Sequence, residues 1–123
     1  MSDEPIASLA ALKNALRERH PDVRPYGEDD ADWTWADEGM ELMEAGDYGM
    51  AALKFEELIC SQPDESDGYE GLALVYQALG RSEEALLLIK EAVRLARQHV
   101  EKGYMDREVL EEILEEQDAI LNR

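Results

Sequence analysis

Carboxylates are the residues of this sequence whose number and spacing could do chemistry. Thirty of the 123 residues are Asp or Glu, and some are paired, as Glu56 with Glu57 and Glu111 with Glu115. Two carboxyl groups can act as general acid and base, or bind a cation, when partial burial separates their pKa values. Paired glutamates on a helix without a companion histidine or a pocket are typical of a solvated surface. We therefore predict that the protein is not an enzyme.

Metal and nucleophile chemistry has few other candidates. The acidic run GEDDADWTWADE, residues 27–38, lacks the glycine and the alternating ligands of a calcium loop. The single Cys60 excludes an internal disulfide and lies near a predicted helix C-terminus, where the helix dipole disfavours a thiolate. His20 and His99 fall in different elements, and we expect both to face solvent. We expect no metal and no cofactor.

The net charge of −18 restricts the possible partners. Nucleic acid and anionic bilayers would repel such a chain, so a charged partner should be basic. The alternative is adaptation to high salt, since only four of the 12 basic residues are lysine. Apolar residues never run to a membrane-spanning length, and the N-terminal residues do not resemble a secretory signal. We expect a cytoplasmic protein.

The elements that must position these residues are helices. Apolar residues recur at spacings of three and four, without the alternation of strands, and Gly46, Gly80 and Gly103 are suitable stops. Residues 20–30 form the only linker-like stretch, and 123 residues fit one domain. The six predicted helices cover about residues 5–19, 32–45, 48–61, 66–79, 82–102 and 106–121.

Residues 32–65 and 66–99 repeat one pattern at a single offset of 34 residues. A fixed period of this length with two helices per period is typical of a solenoid, whose units bury their apolar faces by stacking. The offset pairs Trp35 with Tyr69, Leu42 with Tyr76, Gly46 with Gly80, Ala51 with Ala85, and Phe55 with Ile89.

At these positions the chain resembles the tetratricopeptide repeat (TPR) family, whose pattern is W-x2-L-G-x2-Y, then A-x3-F, then P. The matching residues are Trp35, Gly39, Leu42, Ala51, Phe55 and Pro63 in the first repeat, and Tyr69, Leu72, Ala73, Tyr76, Ala85, Ile89 and Ala92 in the second. The resemblance implies an all-α, right-handed solenoid of helical hairpins. Its parts would be an N-terminal helix and linker (1–31), two repeats (32–65 and 66–99) and a capping helix (100–123).

Two departures from the family pattern concern the ends of the stack. Glu38 stands where the family has an apolar residue, and Arg97 stands where the second proline would be. We expect the first helix to cover the first repeat, with Glu38 in an ion pair with Arg17, Arg19 or Arg24.

The last helix is predicted to cap the other end. One side is aliphatic, and Glu111, Glu112, Glu115 and Glu116 would form its solvated outer face. The alternative is that this aliphatic stripe pairs with a second molecule and makes a homodimer.

The resemblance implies that a peptide or protein segment binds on the concave face, which the first helix of each repeat lines. Helical spacing then gives the candidate partner-binding residues. They are Trp33, Asp37, Met40 and Glu44 from the second helix, with Asp67, Glu70, Leu74 and Gln77 from the fourth.

This face is predicted to be a shallow acidic groove for a segment with apolar and basic side chains. It contains no cation, unlike the family members that bind acidic chaperone tails. Alternatively, residues 20–30 or the first helix fill the groove. We therefore expect a non-catalytic protein-interaction module or adaptor, or alternatively a small acidic chaperone for a secreted or aggregation-prone partner, or a self-associating structural subunit.

Overall fold

The computed structural model describes residues 9–23 and 34–122, and this part of the chain is helical without a strand. The all-helical prediction is confirmed there, and no described helix is long and apolar enough to cross a membrane. The predicted starts of the first two helices, at Pro5 and Asp32, lie outside the described residues. The helices are α1 (Leu9–Arg19), α2 (Trp35–Glu44), α3 (Tyr48–Ser61), α4 (Ser66–Ala78), α5 (Ser82–Glu101) and α6 (Arg107–Leu121).

Three helices end in the same turn. Gly46, Gly80 and Gly103 follow α2, α4 and α5 with φ angles of 84°, 80° and 80°, a conformation that glycine adopts without strain. The amide after each glycine donates to the carbonyl five residues earlier, as from Asp47 to Leu42 at 2.9 Å. This pattern is the Schellman motif, which satisfies carbonyls that a helix end would leave without donors. The three predicted stops are therefore confirmed.

The short turns make neighbouring helices pack against one another. α3 packs against α2 and α4, and α5 packs against α4 and α6. α4 also contacts α2 and α6, so these three helices are neighbours, whereas α1 contacts α3 and α5. Of the aliphatic residues of α6, Leu110, Ile113 and Ile120 are buried and Leu114 is half-buried, whereas Val109 and Leu121 are exposed.

The core lies between the two hairpins. Ala51 and Ala85 are completely buried, and Phe55 and Ile89 are 1% and 0% exposed, so these two pairs related by the 34-residue offset are equally buried. Trp35 and Leu42 are half-buried, whereas their counterparts Tyr69 and Tyr76 are buried. Small residues permit close approach of α3 and α4. A Cβ at Gly68 would lie 2.7 Å from Ile59 Cγ1.

The position of α1 differs from the prediction. It lies against α3 and α5, where Leu12 and Leu16 are buried. Arg19 Nη1 lies 2.6 Å from a carboxylate oxygen of Glu56, which is itself 2% exposed. Lys13 Nζ lies 3.3 Å from Glu91. Two buried carboxylates thus fix α1 on the outer side of the hairpins, because a buried charge needs a partner.

The ion pair predicted for Glu38 is wrong for Arg17 and Arg19, and Arg24 lies outside the described residues. Glu38 instead accepts a hydrogen bond from Thr34 at 3.2 Å and lies 3.4 Å from Lys54 Nζ. Lys54 also lies over the ring of Trp35, 5.4 Å from its centroid. Glu38 is therefore paired with Lys54 of α3, which belongs to the same predicted repeat.

The expectation that His20 faces solvent is also wrong. Its side chain is 11% exposed, and its Nε2 lies 2.8 Å from Glu56 Oε1. His20 follows α1 directly, so it joins Arg19 in holding the end of that helix on α3. His99 is half-buried.

Candidate functional site

Four of the eight predicted binding residues line one cavity of about 180 Å³. Met40 comes from α2, and Asp67, Glu70 and Leu74 come from α4. Asp37 and Glu44 are exposed, and Gln77 is half-buried, but these three do not line the cavity. Trp33 lies outside the described residues. The other lining residues are Ala36, Phe55, Gly71 and Glu116.

Helical spacing explains why the cavity residues converge. Asp67, Glu70, Gly71 and Leu74 are separated by three, one and three positions, which places them on one side of α4. Met40 lies on the facing helix α2, where it is 37% exposed. Phe55 of α3 reaches between these helices. The cavity therefore has apolar walls and carboxylates along one side.

Glu116 is the acidic residue of the cavity that the sequence pattern did not predict. It was placed on the solvated outer face of the cap, and Glu111, Glu112 and Glu115 are exposed as expected. Glu116 is instead half-buried and lines the cavity beside Glu70. The signal was present, because Glu116 is three residues after buried Ile113 and four before buried Ile120, which puts all three on neighbouring parts of α6.

Of the acidic residues that line the cavity, Glu70 has the most strongly shifted pKa. Burial raises its pKa to about 8, together with a hydrogen bond to Glu116 and the negative charges of Glu116, Asp67 and Glu112. Burial also raises the pKa of Glu116, although the hydrogen bond with Glu70 opposes that shift. Two carboxyl groups at one place cannot both ionise easily, so the pair retains a proton near neutral pH.

Asp67 extends the same acidic region. Loss of hydration and the charge of Asp37 raise its pKa, while His99 lowers it. Among the described residues, those that line the cavity include no Lys, Arg or His. Oε1 of Glu116 is buried and accepts no hydrogen bond from a donor in this part of the chain. The chemistry that this arrangement offers is proton exchange and the acceptance of hydrogen bonds from a donor.

A second cavity of about 350 Å³ lies on the other side of the hairpins, beside α1. Leu53 and Leu79, which are 40% and 48% exposed, form part of its lining with Tyr48 and Arg19. It shares no lining residue with the cavity at Glu70. Substitutions in the lining of one cavity therefore leave the lining of the other unchanged, so each cavity can serve as a control for the other.

A cationic surface also occurs on α5. Lys90, Arg94 and Arg97 lie at spacings of four and three residues and line a shallow depression of about 460 Å³. Arg94 is bound to Glu91 of its own helix, with Nη2 at 2.7 Å. The depression also includes Glu101, and it shares no lining residue with the cavity at Glu70.

In the described ranges, 9–23 and 34–122, no three His, Cys, Asp or Glu side chains are placed so that they could hold a metal ion. Cys60 is buried, and burial raises the pKa of its thiol despite the opposing charge of Arg17.

No protein-family model, curated protein or solved structure matches this chain. The TPR resemblance therefore stays a prediction.

Proposed function

We propose that the protein is a non-catalytic interaction module that binds a peptide or protein segment carrying basic and apolar side chains. The binding surface is the side of the molecule formed by α2, α4 and α6. The supporting observation is the cavity at Glu70, in which the carboxyl groups of Asp67, Glu70 and Glu116 meet apolar walls and no basic residue of the described ranges contributes to the lining.

The repeat relationship supports the choice of this surface. Residues 32–65 and 66–99 are proposed to be two stacked TPR-like repeats of a right-handed solenoid. Ala51 and Ala85 have equivalent burial, and Gly46 and Gly80 make the same turn. In such a stack α2 and α4 line the concave face, and α6 takes the position of the next inner helix, since it contacts both α5 and α4.

The chemistry of the surface defines the partner. Met40 and Leu74 offer apolar contact, and methionine adapts to partners of different shape because its side chain is flexible. Asp67, Glu70 and Glu116 accept hydrogen bonds and carry negative charge, which a Lys or Arg side chain complements. The net charge of −18 attracts a basic segment from a distance and repels an acidic one. We place this binding in the cytoplasm, where the free Cys60 would stay reduced.

Selection from a random library of 12-residue peptides tests the proposal. The wild type should enrich peptides with Arg or Lys beside apolar residues. The variant Met40→Ala plus Leu74→Ala should bind the enriched peptides at least about tenfold more weakly, as expected when apolar contacts at the centre of an interface are removed. The matched control is Leu53→Ala plus Leu79→Ala in the cavity beside α1, which should bind as the wild type does.

Circular dichroism must first show that both variants fold. Loss of binding in the control alone would move the binding site to the cavity beside α1. Enrichment of acidic peptides, or of none beyond those that an unrelated acidic protein retains, would refute the proposed function.

A further inference from the structure

Glu70 and Glu116 bring two carboxyl groups from different helices into one cavity. Glu70 belongs to α4 and Glu116 to α6, and both line the cavity of about 180 Å³. Carboxylates only accept hydrogen bonds, so a contact between two of them requires that one carry a proton. Oε1 of Glu116 is buried, and no donor from the described residues reaches it. A proton held between the two carboxyl groups would supply a donor that the described residues do not.

Most charges that face the pair from the described helices disfavour a second negative charge. Glu112 on α6 acts on both members, and Asp67 on α4 acts on Glu70. Glu115 acts on Glu116. From α2, Asp37 acts on Asp67 in the same sense, whereas His99 of α5 opposes it there. The pair is therefore held in its protonated form by surroundings that are almost entirely acidic.

We propose that Glu70 and Glu116 share one proton and that this proton regulates the concave face, because it occupies the place that a cationic side chain of the partner takes on binding. This inference rests on the proposed function and adds how pH regulates the binding. When a guanidinium group enters, it donates hydrogen bonds to both carboxylates, and the proton leaves to water. One positive charge replaces another, and no bond other than the O–H bond of the carboxyl group is broken.

Binding should therefore strengthen as the pH rises. Only the molecules that have lost the shared proton are competent, and the apparent affinity falls with the competent fraction. The pKa of Glu70, about 8, places the change in the neutral range. Below that pH the apparent affinity should fall by up to about tenfold for each pH unit.

The first measurement is a carboxyl-carbon NMR titration of the full chain without any partner. We expect one carboxyl resonance with a midpoint near 8, and Glu70→Gln should remove it. In Glu116→Gln the Glu70 midpoint should fall below that of the wild type, because the substitution removes the negative charge of Glu116 that helps to raise it. A wild type in which every carboxyl group titrates below about pH 6, close to the ordinary range, would overturn the inference.

The second measurement uses N-acetyl-arginine amide as the probe and N-acetyl-citrulline amide, which has a similar shape without the charge, as its control. Amide chemical shifts of Met40, Gly71 and Leu74 report binding at the cavity. We expect the arginine probe to bind at least about tenfold more tightly at pH 8.5 than at pH 6.0, and the citrulline probe to bind at neither pH.

Glu70→Gln is the matched variant, since it keeps His20 and His99 but lacks the shared proton. Its response to the arginine probe should be independent of pH between 6.0 and 8.5. Equal affinity of the wild type at the two pH values, or no response to the arginine probe at either, would overturn the inference.

Failure of the inference and failure of the proposed function give different results. Peptide binding at the concave face without a carboxyl midpoint near 8 would retain the proposed function and overturn the proton control. A carboxyl midpoint near 8 with no peptide or arginine binding would overturn both, because the shared proton would then be structural.

Discussion

The ring of Phe55 occupies the space that a side chain at Gly71 would need. A Cβ added to Gly71 would lie 2.1 Å from Phe55 Cε1, and one added to Gly39 would lie 2.6 Å from Phe55 Cζ. Gly39 belongs to α2 and Gly71 to α4, so one aromatic ring from α3 sets the spacing of the two helices that carry the proposed binding residues. Phe55 and Gly71 both line the cavity at Glu70, so its shape depends on this contact.

Gly71→Ala should destabilise the protein strongly. Alanine normally favours a helix over glycine by about 1 kcal/mol, but here its Cβ must displace a ring that is 1% exposed. Overpacking of this kind costs about 1 to 3 kcal/mol. The control is Gly49→Ala in α3, where a Cβ meets nothing within 4 Å and should leave the stability equal or higher. Urea unfolding measures both, and equal stability of the two variants would contradict the proposed role of the ring.

Glu56→Gln should loosen α1. Glu56 is 2% exposed and accepts from Arg19 at 2.6 Å and from His20 at 2.8 Å, so the substitution weakens two charge-assisted contacts at once. We expect a loss of about 1 to 3 kcal/mol in the protection of α1 amides against hydrogen exchange. The next residue supplies the control.

Glu57→Gln changes a half-buried carboxylate whose ion pair is with Lys54 of its own helix, at 3.7 Å. Its effect on the α1 amides should be below about 0.5 kcal/mol, because a partly exposed ion pair within one helix contributes little and does not touch α1. If Glu57→Gln loosened α1 as much as Glu56→Gln does, the ion pairs of Glu56 would not be what holds that helix.

Much of the fold was predictable because its signals are local. Gly46, Gly80 and Gly103 end helices because glycine adopts a positive φ without strain, and this property belongs to a single residue. Ala51 and Ala85, and Phe55 and Ile89, are equally buried, as the 34-residue offset leads one to expect, whereas Trp35 and Leu42 are less buried than Tyr69 and Tyr76. The TPR resemblance and helical spacing together placed Asp67, Glu70 and Leu74 on one face, and all three line the cavity. Gln77, predicted with them, does not line it, whereas Gly71 does.

The missed features depend on how distant elements meet. The sequence could not show that α1 lies against α3 and α5, because the partners of Arg19 and Lys13 are 37 and 78 residues away. Glu116 looked like one more residue of an acidic surface, although its position relative to Ile113 and Ile120 already placed it near the buried side of α6. Long-range pairing and the depth of a side chain are properties of the assembled fold.

Cys60 should react slowly in the native protein. It is 3% exposed, and burial raises the pKa of its thiol, so both access and the thiolate fraction are low. At pH 8 a chromogenic aromatic disulfide reagent should react with the native chain at least about 100-fold more slowly than with the chain unfolded in guanidinium chloride, because reaction requires opening. A burst of reaction within the mixing time in native buffer would contradict this prediction.

The stability of the protein should fall as the pH rises through the neutral range. Glu70 has a pKa of about 8 in the fold against 4.5 for an ordinary glutamate, so the native state binds the proton more tightly than the unfolded chain does. Its contribution is complete below pH 4.5 and is lost as the pH rises to about 8. Because Glu70 keeps some contact with solvent, we expect a difference of about 2 to 4 kcal/mol between the two ends of this range. Glu70→Gln cannot lose a proton, so subtracting its pH profile from that of the wild type removes the contribution of other groups. Urea unfolding at half-unit intervals from pH 4.5 to 9 measures both profiles, and parallel profiles would show that Glu70 ionises normally in the fold.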